Sequence, residues 1–345
     1  MRTYDFALGW ESAVKEDFIE FLIAECKIKE LSFLWVSEQN IREVIGDLER
    51  NKLRIKVLLD TAATYNKPKD VYARLSYAVK DAGGAVINDP DRARIAIDKS
   101  AMHYELLNVG IEVPYTVIVR NWEPNNFKLT SEERNKLGVP FIIKPALGYG
   151  QLGVIRNAKG SINEIAAARN FDRGDNFLLQ EKILPVTLEN KKAWFRIIHV
   201  FDTIIPCWWD DQTSEYVHVG YEEFNNNRLF QLVKIVAKIA SMTKMVWFST
   251  EIAIDKKNDK LRFVTIDYVN DQCDMTTKRE VPNGIPDNIV EHTANTIVDV
   301  ANKCINREKI SRKYTILLKD AVVEIKGLGN TQSIMDEMLH HQHFS

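Results

Sequence analysis

The sequence predicts an α/β protein that begins with an open parallel sheet. Over the first ninety residues, short apolar runs alternate with stretches whose apolar residues recur with helical spacing. Strands that alternate with helices favour parallel pairing, because each crossover helix packs on a face of the sheet. Ligands of such sheets bind at the carboxyl ends of the strands. The apolar runs predict strands at 4–8, 31–36, 55–59 and 85–87.

The remainder of the chain has a different order of elements. The polar run Asn88-Asp89-Pro90-Asp91 ends the alternation and predicts a domain boundary. A helix is predicted at 92–108, and another near the end of the chain at 334–339. Two apolar runs at 249–254 and 261–267, separated by a polar loop, are typical of a hairpin. We therefore expect three parts, at residues 1–90, 91–182 and 183–345.

Composition excludes several classes of protein. Across 345 residues, 46 Lys and Arg balance 48 Asp and Glu, whereas a dedicated nucleic-acid binder is normally basic. No run approaches the ~18–20 apolar residues that cross a bilayer, and the start of the chain lacks the pattern of a signal peptide. The four cysteines form no Cys-x-x-Cys pair, which is typical of reduced thiols. We therefore expect a cytoplasmic protein that binds neither nucleic acid nor membranes.

The strongest chemical feature is a lysine at the end of a predicted strand, followed at once by a glycine-rich loop. Lys144 precedes Gly148, Gly150 and Gly153. Glycine lets backbone N–H groups approach phosphate oxygens without obstruction by side chains, and an adjacent ammonium group adds positive charge for the same oxygens. Taken alone, the pattern fits an ordinary connection between strands equally well. It is not a Walker A loop, because no Gly-Lys-Ser or Gly-Lys-Thr follows.

Polar residues on later strands predict a site for charged ligands. Arg196 lies within an apolar run, where a charge is costly unless it is paired, so we expect it to face a cleft. Glu251 lies on one strand of the predicted hairpin and Asp267 ends the other. Neighbouring strands bring such side chains together, and hard oxygen ligands of this kind hold Mg²⁺. For any one of these acids, a solvated position is the simpler interpretation.

These features occur in an order that resembles the ATP-grasp superfamily. The helical segment that contains Asp98-Lys99-Ser100 comes first, followed by Gly-Ile-Glu-Val-Pro at 110–114. The Lys-Pro strand end with its glycine loop, the segment Gln180-Glu181-Lys182-Ile183, the strand arginine and the paired acidic strands follow. The resemblance covers roughly residues 85–300. It implies an N-terminal open parallel-sheet domain followed by a two-subdomain ATP-grasp module, with ATP held between two sheets.

The resemblance implies a role for each matching residue. In the family, two lysines contact ATP phosphates, a glycine loop covers the β- and γ-phosphates, and a hinge presents backbone groups to adenine. An acid beyond the hinge holds the ribose, a strand arginine neutralises charge that develops during the reaction, and acidic strands hold Mg²⁺, or alternatively Mn²⁺. The implied ATP contacts are Lys99, Lys144, Gly148, Gly150, Gly153, Glu181, Lys182, Ile183, Leu184 and Glu189. The implied catalytic residues are Arg196 and Lys144, and the implied metal ligands are Glu251, Asp267 and Asn270.

The metal motif departs from the family pattern. The family usually has Glu-x-Asn, often followed by Pro-Gly, whereas this chain has Asp267-Tyr268-Val269-Asn270-Asp271. Residues three apart on a regular strand do not share a face. We therefore expect a bulge or the strand end to realign Asn270, or Asp271 to replace it. Because the missing Pro-Gly segment often borders the acceptor site, the resemblance does not identify the substrate.

The resemblance implies an ATP-dependent ligase. In the family, a substrate carboxylate attacks the γ-phosphate to form an acylphosphate, and an amine or, less often, a thiol then displaces phosphate. The implied partners are a small-molecule or peptide carboxylate, an amine or thiol acceptor and a second copy of the chain, since dimers are common. Two alternatives stay open. One is an ATP-grasp kinase that releases a phosphorylated small molecule, and the other is an ATP-binding regulatory protein without catalytic activity.

Overall fold

The fold was analysed in a computed structural model that describes residues 1–11, 16–148, 150–308 and 313–325. The helix predicted at 334–339 lies outside these ranges. The chain divides into two compact units. Among the described residues, the first unit contains those within 1–94, 195–250 and 270–325, and the second contains those within 95–194 and 251–269. The predicted division at residues 90 and 182 stays a prediction.

Helices and strands alternate along most of the chain. In chain order the helices are α1 (Asp17–Ile28), α2 (Ile41–Glu49), α3 (Val71–Asp81), α4 (Pro90–Ala96), α5 (Lys99–Asn108), α6 (Ser131–Leu137), α7 (Ile162–Arg169), α8 (Tyr221–Asn226), α9 (Phe230–Thr243) and α10 (Asp287–Ile305). The strands are β1 (Arg2–Gly9), β2 (Phe33–Val36), β3 (Leu53–Asp60), β4 (Ala85–Ile87), β5 (Thr116–Val119), β6 (Phe141–Pro145), β7 (Ile155–Ala158), β8 (Phe177–Gln180), β9 (Thr187–Leu188), β10 (Lys191–Lys192), β11 (Trp194–Val200), β12 (Thr203–Trp209), β13 (Tyr216–His218), β14 (Trp247–Lys257), β15 (Lys260–Asn270), β16 (Thr315–Leu318) and β17 (Ala321–Glu324). None of the helices in the described ranges has both the length and the apolar content needed to cross a lipid bilayer.

The first unit contains the parallel sheet that the N-terminal pattern predicts. Its strand order is β2–β1–β3–β4, and all three neighbouring pairs run parallel. Phe6 of β1 lies opposite Phe33 of β2 and Val57 of β3. Phe6 and Val57 are buried, as expected for a sheet covered by crossover helices. The prediction of an α/β protein with an N-terminal open parallel sheet is therefore confirmed.

A second sheet of the first unit contains β11, β12, β16 and β17 in that order. β13 pairs with the last three residues of β12. The first residues of β14 lie beside β11. All seven residues of β12 are buried, which means that both faces of this strand are covered. α9 packs against β12, and α10 packs against α1.

The second unit is built on an antiparallel sheet with the order β5–β8–β6–β7. Phe141 and Ile143 of β6 and Phe177 and Leu179 of β8 belong to its apolar core. The parts of β14 and β15 that belong to this unit form the predicted hairpin. The two turn residues, Asn258-Asp259, have φ values of 50° and 60°, which is the left-handed conformation of a tight type I′ turn.

The helix predicted at 92–108 is interrupted. The chain forms α4 and then a separate helix, α5, which starts at Lys99. The Asp98 carboxylate accepts hydrogen bonds from the Ser100 and Ala101 N–H groups and caps α5. The prediction of one helix was wrong because this side chain replaces the continuing helical hydrogen bonds at that point. As a consequence, Lys99 lies in the first turn of a helix with a fixed N-terminus.

Candidate functional site

Lys144 lies near the end of β6, and its side chain is buried, with 9 % of its surface exposed. The Nζ atom donates a hydrogen bond to the Ile266 carbonyl oxygen at 2.9 Å. Burial lowers the pKa of Lys144 to about 8; the Lys99 charge adds to this shift, and the Asp267 and Glu251 carboxylates oppose it. A bound anion would raise this pKa again, because it stabilises the protonated form. Lys144 therefore has the properties of a phosphate-binding group.

Lys99 brings a second positive charge to the same region of the second unit. Its Nζ atom donates a hydrogen bond to the Gly148 carbonyl oxygen at 2.9 Å and lies 3.6 Å from Asp267 Oδ1. Its backbone N–H group donates to the Ala146 carbonyl oxygen at 3.2 Å. The start of α5 is therefore bound to the loop after β6 through both the backbone and the side chain of Lys99.

Glycine is required at two positions of the loop that follows β6. A Cβ atom at Gly148 would lie 2.3 Å from Cγ of Pro145. Gly153 has a φ of +73°, and its Cβ atom would lie 2.7 Å from the ring of Phe171. Close packing excludes a side chain at both positions. Gly150, which lies between them, has a φ of +57°, a conformation that also favours glycine.

Two carboxylates of the hairpin balance the two ammonium groups. Glu251 lies on β14, and its Oε2 atom accepts a hydrogen bond from Trp194 Nε1 at 3.2 Å. Asp267 lies on the adjacent strand β15, next to the Lys99 ammonium group. Both carboxylates act on the pKa of Lys144. The structure therefore brings together four of the predicted site residues: Lys99, Lys144, Glu251 and Asp267.

This donor set fits a magnesium ion that is shared with a phosphorylated ligand. Mg²⁺ is usually held by one or two carboxylates, with substrate phosphates and water completing its octahedron. Glu251 and Asp267 supply two carboxylates beside two lysines suited to phosphate. Within the described ranges, no group of three or more His, Cys, Asp or Glu side chains is arranged to hold a metal ion.

The segment after β8 has backbone groups suited to a planar polar ligand. The Glu181 N–H group donates to the Tyr115 carbonyl oxygen at 2.8 Å, and the Val186 N–H group donates to β14 at 2.8 Å. These two bonds fix the ends of the predicted hinge. Between them lie Lys182 and Ile183, whose backbone groups have no backbone partner in the described part of the chain, whereas the next residues join β14 through a bridge between Pro185 and Asp255.

The side chains of the predicted hinge have different surroundings. Ile183 is buried in a small apolar cluster with Ala253 and Val264, whereas Leu184 is 72 % exposed. The Lys182 ammonium group donates to the Asn157 side chain at 2.7 Å. Ile183 is therefore the hinge residue that offers an apolar surface continuous with the hairpin.

Two acids, one in the predicted hinge and one beyond it, have separate positions. The Glu181 carboxylate accepts hydrogen bonds from Lys257 Nζ at 2.8 Å and from the Tyr115 N–H group at 3.2 Å. Glu189 begins the two-residue turn between β9 and β10, where its φ is 49° and that of Asn190 is 63°. The structure places Glu189 at the exposed tip of this hairpin, and its predicted contact with ribose stays a prediction.

Arg196 and Asn270 belong to the first unit. The Arg196 guanidinium carbon lies 5.1 Å from the centroid of the Trp209 ring, and its Nε and Nη2 atoms each lie 3.4 Å from Ser249 Oγ. Asn270 ends β15, and its Nδ2 atom lies 3.5 Å from the same oxygen. A single hydroxyl group therefore links the predicted catalytic arginine to one of the predicted metal ligands.

A buried polar network in the second unit is absent from the predictions. Tyr268 is fully buried, and its hydroxyl group contacts His103 Nδ1 at 2.8 Å and Gln180 Nε2 at 3.1 Å. Burial and the Lys144 charge lower the pKa of His103 to about 4, so the imidazole is neutral at neutral pH. No local pattern predicts this network, because its members come from three separate segments of the chain.

Comparison with solved structures identifies the fold. No protein-family model matches the sequence, and no curated protein sequence matches it either. A D-alanine–D-alanine ligase from Bacillus anthracis, complexed with ATP, is similar with a TM-score of 0.60 at 13 % identity, over 89 % of this chain and 99 % of that one. A RimK domain ATP-grasp protein from Sphaerobacter thermophilus gives a TM-score of 0.55 at 15 % identity, over 86 % and 98 %.

The ATP-grasp ligase PsnB, complexed with a minimal precursor, Mg and ADP, gives a TM-score of 0.55 at 12 % identity, over 87 % of this chain and 98 % of that one. All three structures therefore align with most of the chain, although their sequences differ widely from it. The order of motifs along the sequence and these alignments agree, and the chain has the fold of the ATP-grasp superfamily.

Proposed function

We propose that this chain is an ATP-dependent ligase that joins a carboxylate to an amine or a thiol. The observation that carries the proposal is the cluster of Lys99, Lys144, Glu251 and Asp267 beside a glycine loop. Ammonium groups and backbone N–H groups suit phosphate oxygens, and paired carboxylates suit Mg²⁺. Structures of the same fold complexed with ATP, or with Mg and ADP, support this combination of ligands.

The hinge is the proposed site for the adenine base. Adenine has a polar edge and two apolar faces. The backbone groups of Lys182, Ile183 and Leu184 would meet its polar edge, and the Ile183 side chain would pack against one face. Lys99 and Lys144 would hold the phosphates, with the loop of Gly148, Gly150 and Gly153 over them, and Glu189 would bind the ribose. An acid and an amine or thiol of a small molecule or a peptide complete the proposed set of substrates.

The proposed reaction has two steps. A carboxylate oxygen of the substrate attacks the γ-phosphorus of ATP, the bond to the bridging oxygen of ADP breaks, and an acylphosphate forms. The amine or thiol then attacks the acyl carbon, and phosphate leaves. Lys99 and Lys144 neutralise charge on the transferring phosphoryl group, and Arg196 is the proposed group for charge on the second transition state. Mg²⁺ held by Glu251, Asp267 and Asn270 would supply a further positive charge to the phosphates.

The chain would therefore act by positioning and charge neutralisation rather than through a nucleophilic side chain. The cytoplasm, where ATP and Mg²⁺ are abundant, is the proposed location, and a homodimer is the proposed assembly. Neither is needed for the chemistry of the site.

Calorimetric titration of ATP, ADP and GTP, with and without Mg²⁺, tests the nucleotide site. We expect saturable binding that prefers adenine, is strengthened by Mg²⁺ and is weakened by Lys144→Ala. A screen of acids paired with amines or thiols, monitored by phosphate release, then tests ligation. Normal ATP binding by Lys144→Ala would contradict the site. A stable phosphorylated product formed without an acceptor would indicate a kinase instead, and tight binding without turnover would indicate a regulatory protein.

A further inference from the structure

We infer that Tyr268 positions the Lys144 ammonium group for phosphate by placing the face of its ring beside it. This inference rests on the proposed function and concerns a residue outside the predicted site. Lys144 Nζ lies 5.7 Å from the centroid of the Tyr268 ring, which is within the range of attraction between a cation and an aromatic face. The ring is fully buried, so water does not weaken this attraction.

The orientation of the ring is fixed at its hydroxyl group. Gln180 Nε2 lies 3.2 Å from Thr116 Oγ1 and 3.1 Å from the Tyr268 hydroxyl oxygen. An amide nitrogen only donates, so the Tyr268 oxygen accepts from Gln180 and its own proton is directed to His103 Nδ1, 2.8 Å away. Thr116 in turn donates to a backbone carbonyl oxygen at 2.9 Å. The Tyr268 hydroxyl group therefore has one donor and one acceptor, which together fix the orientation of the ring.

Lys144 makes two contacts with β15, a hydrogen bond to a carbonyl oxygen, which occupies an N–H donor, and a contact with an aromatic ring, which does not. An ammonium group has three N–H donors. The Ile266 carbonyl oxygen accepts one of them at 2.9 Å, whereas an aromatic face attracts the charge without requiring a directed N–H group. A carboxylate in the place of the ring would bind the ammonium group more strongly and would compete with phosphate for its donors. The ring thus stabilises the position of Lys144 and leaves donors for phosphate.

Affinities for ATP with Mg²⁺ and for adenosine, measured by calorimetry, test the inference. Tyr268→Leu should weaken ATP binding by about fivefold to thirtyfold, which corresponds to loss of a desolvated cation–π contact. Tyr268→Phe keeps the aromatic face but loses the hydroxyl group that fixes the ring, so its ATP affinity should lie between that of Tyr268→Leu and that of the wild type. Adenosine has no phosphate, so its affinity should be the same in both variants and in the wild type. Equal losses for ATP and adenosine would show a general structural role and overturn the inference.

A double-mutant cycle with Lys144→Met separates this inference from the proposed function. In the Lys144→Met background, Tyr268→Leu should have no further effect on ATP affinity, because the partner of the ring is gone. If the wild type does not bind ATP, the proposed function fails. If Lys144→Met weakens ATP binding but Tyr268→Leu does not, only the role of Tyr268 is refuted.

Ring-fluorinated tyrosine at position 268 provides a nearly isosteric alternative if Tyr268→Leu does not fold. Fluorine reduces the negative potential of the ring face while leaving its shape almost unchanged. ATP affinity should fall stepwise with the number of fluorine atoms, and adenosine affinity should not. An ATP affinity that is independent of fluorination would overturn the inference.

Discussion

Asp60 in the first unit and Lys144 in the second are both charged residues at or near the ends of buried strands, but their hydrogen bonding differs. Asp60 is 6 % exposed, and its carboxylate accepts hydrogen bonds from Ser76 Oγ and from the Ala62 and Ala63 N–H groups, the latter two at 3.0 Å. Within the described part of the chain, the Lys144 ammonium group instead donates one hydrogen bond, to the Ile266 carbonyl oxygen.

This difference separates a structural charge from one that is suited to a ligand. Two hydrogen bonds of Asp60 hold the turn that follows β3, and the third comes from Ser76 on α3. The surroundings of Lys144 come from distant segments and contain a second ammonium group, two carboxylates and an aromatic ring. Burial alone therefore does not distinguish these two residues, whereas the number and origin of their partners do.

The largest expected effect is that of removing a carboxylate from the second unit. Asp267→Asn preserves size and removes the charge proposed to hold Mg²⁺, so the rate of Mg²⁺-dependent phosphate release should fall about a hundredfold to a thousandfold. ATP binding without Mg²⁺ should change little. Asp60→Asn is the matched control, because it makes the same chemical change at a buried acid of the other unit and should alter the rate by less than about twofold.

The second prediction concerns stability as a function of pH. Burial raises the pKa of Asp60 from 3.8 to about 7, against the opposing effect of its hydrogen bonds. Between these two values the folded protein binds more protons than the unfolded chain, so the free energy of unfolding decreases as pH rises from 4 to 7 and then levels off. The contribution of Asp60 is at most about 4 kcal/mol.

Denaturant unfolding of wild type and Asp60→Asn at pH 4, 6 and 8 measures this contribution. An asparagine does not titrate, and its amide can still accept from Ala62 and Ala63 while donating to Ser76. The unfolding free energy of Asp60→Asn should therefore increase relative to that of the wild type as pH rises. A difference that is constant across this range would mean that the Asp60 carboxyl has the same pKa in the folded and unfolded chains.

The third prediction concerns removal of the positive charge of Lys144. Lys144→Met keeps an unbranched chain of similar length but removes the charge, so ATP should bind about tenfold to a hundredfold more weakly, as expected for lost charge-assisted hydrogen bonds. The stability of the protein without ATP should not decrease, because an uncharged side chain replaces a buried ammonium group. Calorimetry and thermal unfolding give the two quantities, and a destabilised variant with normal ATP affinity would contradict both expectations.

Much of the fold could be predicted because its signals are local. Alternating apolar runs predict the parallel sheet, and Asn258-Asp259 predicts a hairpin turn whose backbone is left-handed at both residues. The interruption at Asp98 could not be predicted with the same ease, because a capping side chain competes with a continuous apolar pattern. That competition is decided by hydrogen bonds to Ser100 and Ala101, which the spacing of apolar residues does not report.

The sequence predicts fewer features of the candidate site than of the fold. Lys144 is predicted as a phosphate-binding residue from its glycine loop, which follows it directly. Tyr268 is not, because its partners His103 and Gln180 are 165 and 88 residues away along the chain. Long-range packing of this kind leaves no periodic signal, and a tyrosine on a strand is ordinarily a core residue.

The smallest expected effect concerns the side chain of Lys182 in the hinge. Because the base is proposed to meet backbone groups, Lys182→Ala should change ATP affinity by less than about twofold, within the usual range for surface substitutions. It does remove the 2.7 Å hydrogen bond to Asn157, and Asn157→Ala removes the same bond from the other side and serves as the matched control. Titration of ATP and GTP into all three proteins checks this. A large loss confined to Lys182→Ala would show that the base contacts the ammonium group, and the hinge would then select its nucleotide through a side chain rather than through its backbone.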